Sequence, residues 1–296
     1  MVALEVRPGP LFADRTTLRL GGRALAEIVF TRPEEAAALG DALKGLGGAP
    51  FVLGGGSNVL AADGELPLVV VSPRVTGEPV VLHERPQGKI RVRVGAGGKL
   101  QRLVAWLATQ GLAGLGGLIG VPGTVGGAVA GNAGSYGDAM GDVLARVLLW
   151  SPGTGLAWIG REGFAAAYRS FAVPGVKGFF VVLAAEIDCE VEEPIAIRGA
   201  MVAHLRQKRA SQPITAATAG SLFKNPPGET AWRLLEAAGF RGRRVGGMGF
   251  SEMHANFMVN YGGGTCSEAF ALIDAAREAV RERSGHELEL EVRVAP

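Results

Sequence analysis

Cysteine is scarce in this 296-residue chain: only Cys189 and Cys266 occur, far apart and in no metal-ligand spacing. That excludes a cysteine metal cluster, fits a reducing cytoplasm, and reads both thiols as buried packing. An excess of charge of one sign is also missing. The formal net charge is +2, too near zero to point to nucleic acid or an anionic membrane surface as a partner. The N-terminus, MVALEVRPGP, lacks the basic start and apolar run of a signal peptide. From Leu103 to Gly137 there is no Asp, Glu, Lys or Arg, a stretch long enough to span a bilayer. Yet it contains GLAGLGGLIGVPGTVGGAVAGNAG, interrupted by Pro122. Glycine costs a helix about 1 kcal/mol per position relative to alanine, and proline about 3. The stretch therefore reads as buried loop and short element, not a membrane helix.

The remaining composition, 48% hydrophobic and 20% charged, supports a sizeable core and two or three domains. Strands are expected at 24–30, 50–53, 68–71, 80–82, 90–94, 143–150, 179–191 and 288–294. Helices are expected from Pro33 (with Ala36, Leu39, Leu43 and Leu46 as its apolar stripe), over 99–110, from Pro194 to about Arg209, over 230–238, and over 267–284. Gly239 is a natural C-cap, Thr265 and Glu268 form a capping box, and Gly285 is a stop.

Two segments are built to offer backbone N–H groups to phosphate: Gly54-Gly55-Gly56-Ser57-Asn58 and Gly120-Val121-Pro122-Gly123-Thr124-Val125-Gly126-Gly127. Glycine admits positive φ and close approach of a ligand, and successive amides form an anion nest. No G-x-x-x-x-G-K-[ST] occurs, and no G-x-G-x-x-G follows a strand; after Gly95-Ala96-Gly97, Leu100 stands where the third glycine belongs. Either loop alone could serve only a tight turn. Together, with AVAGNAGSYG directly after the second, they favour the pyrophosphate of a long cofactor.

Between Arg198 and Arg244 nine basic residues face only Glu229 and Glu236, nine minus two giving +7. Such concentration in a near-neutral protein points to an anionic small ligand, since phosphate and carboxylate recognition favours Arg and Lys. Nucleic acid is the weaker rival because aromatics are sparse there.

Taken in order, TTLRLGG at 16–22, LGGGSNVL at 53–60, IGVPGTVGGAVAGNAGSYG at 119–137, YRSF at 168–171, AGSLFKNP at 219–226, HANFMVN at 254–260 and LELEVR at 288–293 give the chain its likeness. It resembles the UDP-N-acetylenolpyruvoylglucosamine reductase (MurB) family over nearly its whole length. The resemblance implies an α+β chain, with a vanillyl-alcohol-oxidase-type FAD-binding fold of two α/β subdomains (1–72 and 73–211) and a C-terminal α+β substrate domain (212–296). It implies non-covalent FAD held by Leu53, Gly54, Gly55, Gly56, Ser57, Asn58, Gly120, Pro122, Gly123, Thr124, Gly126, Gly127, Ala130 and Asn132, with TTLRLGG nearby. No His or Cys lies in either loop to attach the flavin.

The resemblance also implies a reaction in two halves. NADPH reduces the flavin and leaves; UDP-N-acetylglucosamine enolpyruvate then takes hydride from flavin N5 at its methylene carbon. Ser221 would donate the proton, and Arg169 and Glu291 would stabilise the enolate-like charge. Arginine is a permanent cation shaped for a carboxylate. Glutamate helps only when protonated, and serine is a weak acid that needs a neighbour such as Lys224. Tyr168, Arg206, Arg209, Lys224 and Asn225 match substrate positions, Arg209 standing where some relatives carry lysine. His254 and Asn256 fall in a family motif, with a structural hydrogen-bonding role as open as ligand contact. Between Arg169 and Pro194 there is room for a strand pair and no tyrosine, so the chain resembles the shorter type lacking a tyrosine loop. The competing readings are an FAD-dependent oxidase of the same fold and a non-enzymatic UDP-sugar-binding module.

Overall fold

The structure is a computed structural model describing residues 4–84 and 88–296. Met1–Ala3 of the N-terminal stretch considered above lie outside the described residues. The chain divides into two compact units, each assembled from separated segments.

The first unit comprises Met1–Pro8, Ala26–Gly55 and Leu68–Gln207. One of its sheets orders the strands Glu5–Pro8, Arg23–Phe30, Glu65–Pro73 and Ala49–Val52, the last pair parallel. The helical segment from Pro33 is two pieces, a 3-10 stretch Pro33–Ala38 followed by the α-helix Leu39–Leu46. Pro33 suits the start of a helix, and Gly47, at φ +73°, ends it in the left-handed region.

A larger antiparallel sheet orders Gly155–Gly160, Leu144–Ser151, Val181–Val191, Ile90–Gly95 and Val80–Glu84, with Leu112–Ala113 pairing one end of Val181–Val191. Val181–Val191 is central and buried from Val181 to Ile187, which explains its apolar start, Val181 to Ala185; beyond it acidic and apolar residues alternate. Glu186 ends that apolar start and is 1% exposed. Its carboxylate lies 2.8 Å from Arg93 and 3.7 Å from both Arg91 and Arg146, so the buried charge is compensated by cations on neighbouring strands. The helix Leu100–Thr109 buries Leu100, Leu103, Val104 and Leu107 in the same core. The uncharged stretch continues as the 3-10 turn Gly116–Leu118 and the short helix Val125–Ala130. No helix among the described residues is long and apolar enough to cross a membrane.

The second unit comprises Gly9–Leu25, Gly56–Pro67 and Lys208–Pro296. An antiparallel sheet ordered Thr218–Ser221, Phe257–Asn260, Met248–Phe250, Arg244–Val245 packs with the helices Ala231–Ala237 and Cys266–Ser284 around Phe223, Phe240, Phe250, Leu272 and Ile273. The capping box forms: Thr265 Oγ1 accepts from the Glu268 N–H at 3.2 Å, and Glu268 accepts from the Thr265 N–H at 3.0 Å. Gly285, at φ +72°, closes that helix. Both cysteines are buried, and burial pushes their thiols up, Cys189 to about 12 and Cys266 to about 11.

One expected strand is different. Only Arg293–Ala295 is a strand, parallel to Val59–Ala61, while the alternating residues before it make a single bridge, Phe223 with Leu290. The alternation of LELEVRV reflects two successive partners, not one ladder.

Candidate active site

Leu53 is buried and donates its N–H to Val71 at 2.9 Å, anchoring the start of the first glycine loop. Gly54 and Gly55 follow, both exposed, and pack directly on the second loop. A Cβ at Gly54 would lie 2.5 Å from Thr124 Oγ1, and one at Gly55 2.8 Å from Gly123 Cα. Gly55 is therefore required by close approach of two backbones, and Gly54 by the Thr124 side chain packed against it. Among the described residues the amides of Gly54, Gly55 and Gly123 meet no protein acceptor. Thr124 caps the helix Val125–Ala130 by accepting from Gly127, and Gly120 donates to Gln101 at 2.7 Å. Pro122 and Gly127 are exposed, Gly126 and Ala130 half-buried. Bare backbone with unspent N–H groups fits the pyrophosphate of a flavin dinucleotide.

Asn132 sits at φ +39° and is 8% exposed. Its Nδ2 donates to the Ala167 carbonyl at 2.7 Å, and its Oδ1 accepts from the Gly141 N–H at 2.8 Å. The side chain is thus committed to fixing the hairpin that carries Tyr168 and Arg169. These two residues form the turn between Ala165–Ala167 and Ser170–Ala172. Arg169 adopts φ +52°, a conformation costing a non-glycine residue about 1–2 kcal/mol. Its guanidinium donates to the Gly134 carbonyl at 3.0 Å and lies 5.2 Å from the Tyr168 ring centroid. Backbone strain held by surrounding bonds is a mark of a positioned side chain. Tyr136, at φ +51°, stacks on His204 with centroids 4.6 Å apart, and burial pushes its phenol up. Tyr136 lies inside the motif at 119–137, and nothing local in the sequence links it to His204.

The helix Pro194–Ser211 carries Arg206 and Arg209, both exposed. Between them Lys208 is only 3% exposed, and burial pushes its ammonium down to about 8. The basic stretch is less free than its count suggested. Lys224 pairs with Glu289 at 3.0 Å, Arg241 with Glu236 at 2.8 Å and Arg244 with Glu252 at 3.5 Å. Two of those carboxylates lie outside the counted window.

In the second unit Gly56, Ser57 and Asn58 continue the first glycine loop. Gly56 accepts from the Thr17 N–H at 3.0 Å. Asn260 Nδ2 donates to the carbonyls of Leu18 and Arg19, so the TTLRLGG segment is held by the C-terminal sheet. Ser221 ends the strand Thr218–Ser221, after Gly220 at φ +80°, and is half-buried. Its hydroxyl bonds to no protein group among the described residues. Glu291 is half-buried; its N–H donates to the Leu222 carbonyl at 2.8 Å and its carbonyl accepts from Asn58 Nδ2 at 3.1 Å. The backbone thus joins the segment after Ser221 to the one bearing Glu291. Asn225 Oδ1 accepts from the Ala231 N–H at 3.0 Å at the start of the following helix. His254 packs edge-on against Phe257, accepts from the Asn256 N–H at 3.2 Å, and is held below its ordinary pKa by burial and then by Arg241.

Comparison with known proteins assigns the chain to a family. The FAD-binding domain family covers residues 28–157, and the C-terminal domain of UDP-N-acetylenolpyruvoylglucosamine reductase covers 212–295. Curated reductases of that name from Nitratidesulfovibrio vulgaris and Oleidesulfovibrio alaskensis are 51% and 49% identical, over 98% and 97% of both chains in each pairing. The crystal structure of the Thermus caldophilus reductase superposes with a TM-score of 0.80 at 32% identity, covering 99% of this chain and all of that one. Fold and site together define an FAD-dependent oxidoreductase of mixed α and β architecture, acting in peptidoglycan synthesis. The chain belongs to the UDP-N-acetylenolpyruvoylglucosamine reductase (MurB) family.

Proposed function

We propose that the protein reduces UDP-N-acetylglucosamine enolpyruvate to UDP-N-acetylmuramate with NADPH as electron donor, in the cytoplasm. The observation that carries this reading is the 51% identity to a curated reductase across 98% of both chains. FAD, when bound, supplies the hydride that NADPH has delivered. In the division of labour we favour, residues 1–72 and 73–211 hold the flavin and 212–296 the substrate.

The two glycine loops, from Leu53 to Asn58 and from Gly120 to Asn132, hold the flavin dinucleotide, with the amides of Gly54, Gly55 and Gly123, which meet no protein acceptor among the described residues, turned to its pyrophosphate. Arg169 holds the substrate carboxylate, its strained turn aiming the guanidinium before substrate arrives. Hydride adds to the methylene carbon, the double bond's electrons move onto the neighbouring carbon and its carboxylate, and Arg169 offsets the charge. Glu291, acting as a neutral acid, donates a hydrogen bond to the same oxygens. Ser221 delivers a proton to the carbon beside the carboxylate, completing the lactyl group. Preorganised donors of this kind are the largest source of acceleration in many enzymes. Tyr168, Arg206, Arg209, Lys224 and Asn225 bind the UDP and sugar, with Lys224 leaving Glu289 to meet phosphate.

Incubating the FAD-loaded protein with NADPH and the enolpyruvyl sugar should yield, by mass spectrometry, a product carrying two more hydrogens. Consumption of NADPH without that product would sink the substrate assignment.

A further inference from the structure

We infer that Asn256 is a positioning residue for Ser221, its amide fixing the Ser221–Lys224 segment in register with Glu291. The inference rests on the reading of Ser221 as proton donor. Phe223 and Leu290 form an antiparallel bridge in which Lys224 N–H donates to Glu289 at 2.9 Å and Glu291 N–H donates to Leu222 at 2.8 Å. In that pattern the bonds flank the bridged pair, so Phe223 turns its own N–H and C=O to the opposite side. Asn256 meets both. Its Oδ1 accepts from the Phe223 N–H at 2.9 Å, and its Nδ2 donates to the Phe223 carbonyl at 2.8 Å. Its main-chain carbonyl also accepts from the Leu222 N–H at 2.8 Å.

A side-chain amide carries the same donor and acceptor as a peptide group, so Asn256 acts as one added rung of sheet just before the strand Phe257–Asn260 begins. Asn256 is 3% exposed and Phe223 1%, so water is kept from replacing either bond. Aspartate retains the acceptor and loses the donor; leucine retains neither. The segment carrying Ser221 is thereby gripped from both sides, by Asn256 on one and by residues 289–291 on the other. Removing one grip lets Ser221 shift relative to Glu291 while the glycine loops are untouched.

The test uses Asn256→Leu and Asn256→Asp in FAD-loaded protein, following the two half-reactions by anaerobic stopped-flow. Flavin bleaching by NADPH should proceed at the wild-type rate. Reoxidation by the enolpyruvyl sugar should slow about 10- to 100-fold in Asn256→Leu, the scale of a roughly 1 Å misplacement, and less in Asn256→Asp. Combined with Ser221→Ala, Asn256→Leu should slow reoxidation no further, because both changes remove one function. Additive losses, equal loss in both half-reactions, or unchanged reoxidation would each overturn the inference. Should the leucine variant fail to fold, wild-type reoxidation by Asn256→Asp would overturn it alone. Wild-type protein that bleaches but is not reoxidised by this sugar would instead count against the functional reading.

Discussion

One methyl group added at Gly55 should cost the protein most of its flavin affinity while leaving the remaining fold intact. The Cβ would stand 2.8 Å from Gly123 Cα and 3.3 Å from its carbonyl carbon. Carbon atoms in contact prefer about 3.5–4.0 Å, so the two loops must separate by roughly 1 Å. Gly55 is not among the positive-φ glycines, so alanine adds no backbone strain and the effect is one of space. Overpacking of this kind costs about 1–3 kcal/mol. If that strain falls on the arrangement that grips FAD, affinity drops roughly 5- to 150-fold at about 1.4 kcal/mol per decade. Titrating apoprotein with FAD and following flavin fluorescence measures the change. Gly160→Ala is the control, with an ordinary φ of −77° and nothing within 4 Å of its Cβ. Gly55→Ala binding FAD as tightly as wild type would refute the assignment of these loops.

Ser221→Ala should leave NADPH-driven bleaching intact and slow substrate-driven reoxidation about 10²- to 10⁴-fold, the usual contribution of a positioned acid; equal loss in both steps would mean structural damage. Thr265→Ala removes the bond to the Glu268 N–H and should cost about 1 kcal/mol, lowering Tm by about 2–4 °C. An unchanged melting curve would show the cap to be dispensable. His254 is held below its ordinary 6.5, so the folded state disfavours its charged form. Its contribution is therefore full above pH 6.5 and is lost as pH falls from 6.5 through the folded value. The difference in Tm between wild type and His254→Phe should shrink across that window; a constant difference would rule the coupling out.

What the sequence made legible was local. The Thr265–Glu268 box and the Gly285 stop lie within a few residues of each other, and the apolar stripe of 100–107 repeats at helical spacing. The glycine loops stood out by residue type, since close approach demands glycine at the point of contact, although Gly54 and Gly55 meet Thr124 and Gly123 far along the chain. What stayed hidden depends on distant segments. Gly9–Leu25 and Gly56–Pro67 fold with the C-terminal third, from which well over a hundred residues of sequence separate them. The basic stretch between Arg198 and Arg244 looked unopposed because Glu252 and Glu289 come later in the chain. The side chain of Asn132, inside the second glycine motif, ties Gly141 to Ala167, a link that no local pattern shows. The Tyr136–His204 stack joins a loop to a helix that no pattern connects.

The most direct test of the proposed activity is anaerobic stopped-flow absorbance of the purified protein at the flavin band, with NADPH added first and the enolpyruvyl sugar second. Bleaching by NADPH followed by recovery that depends on the sugar is the result expected of this reductase. Bleaching without recovery, or no flavin spectrum after FAD is supplied, would contradict it.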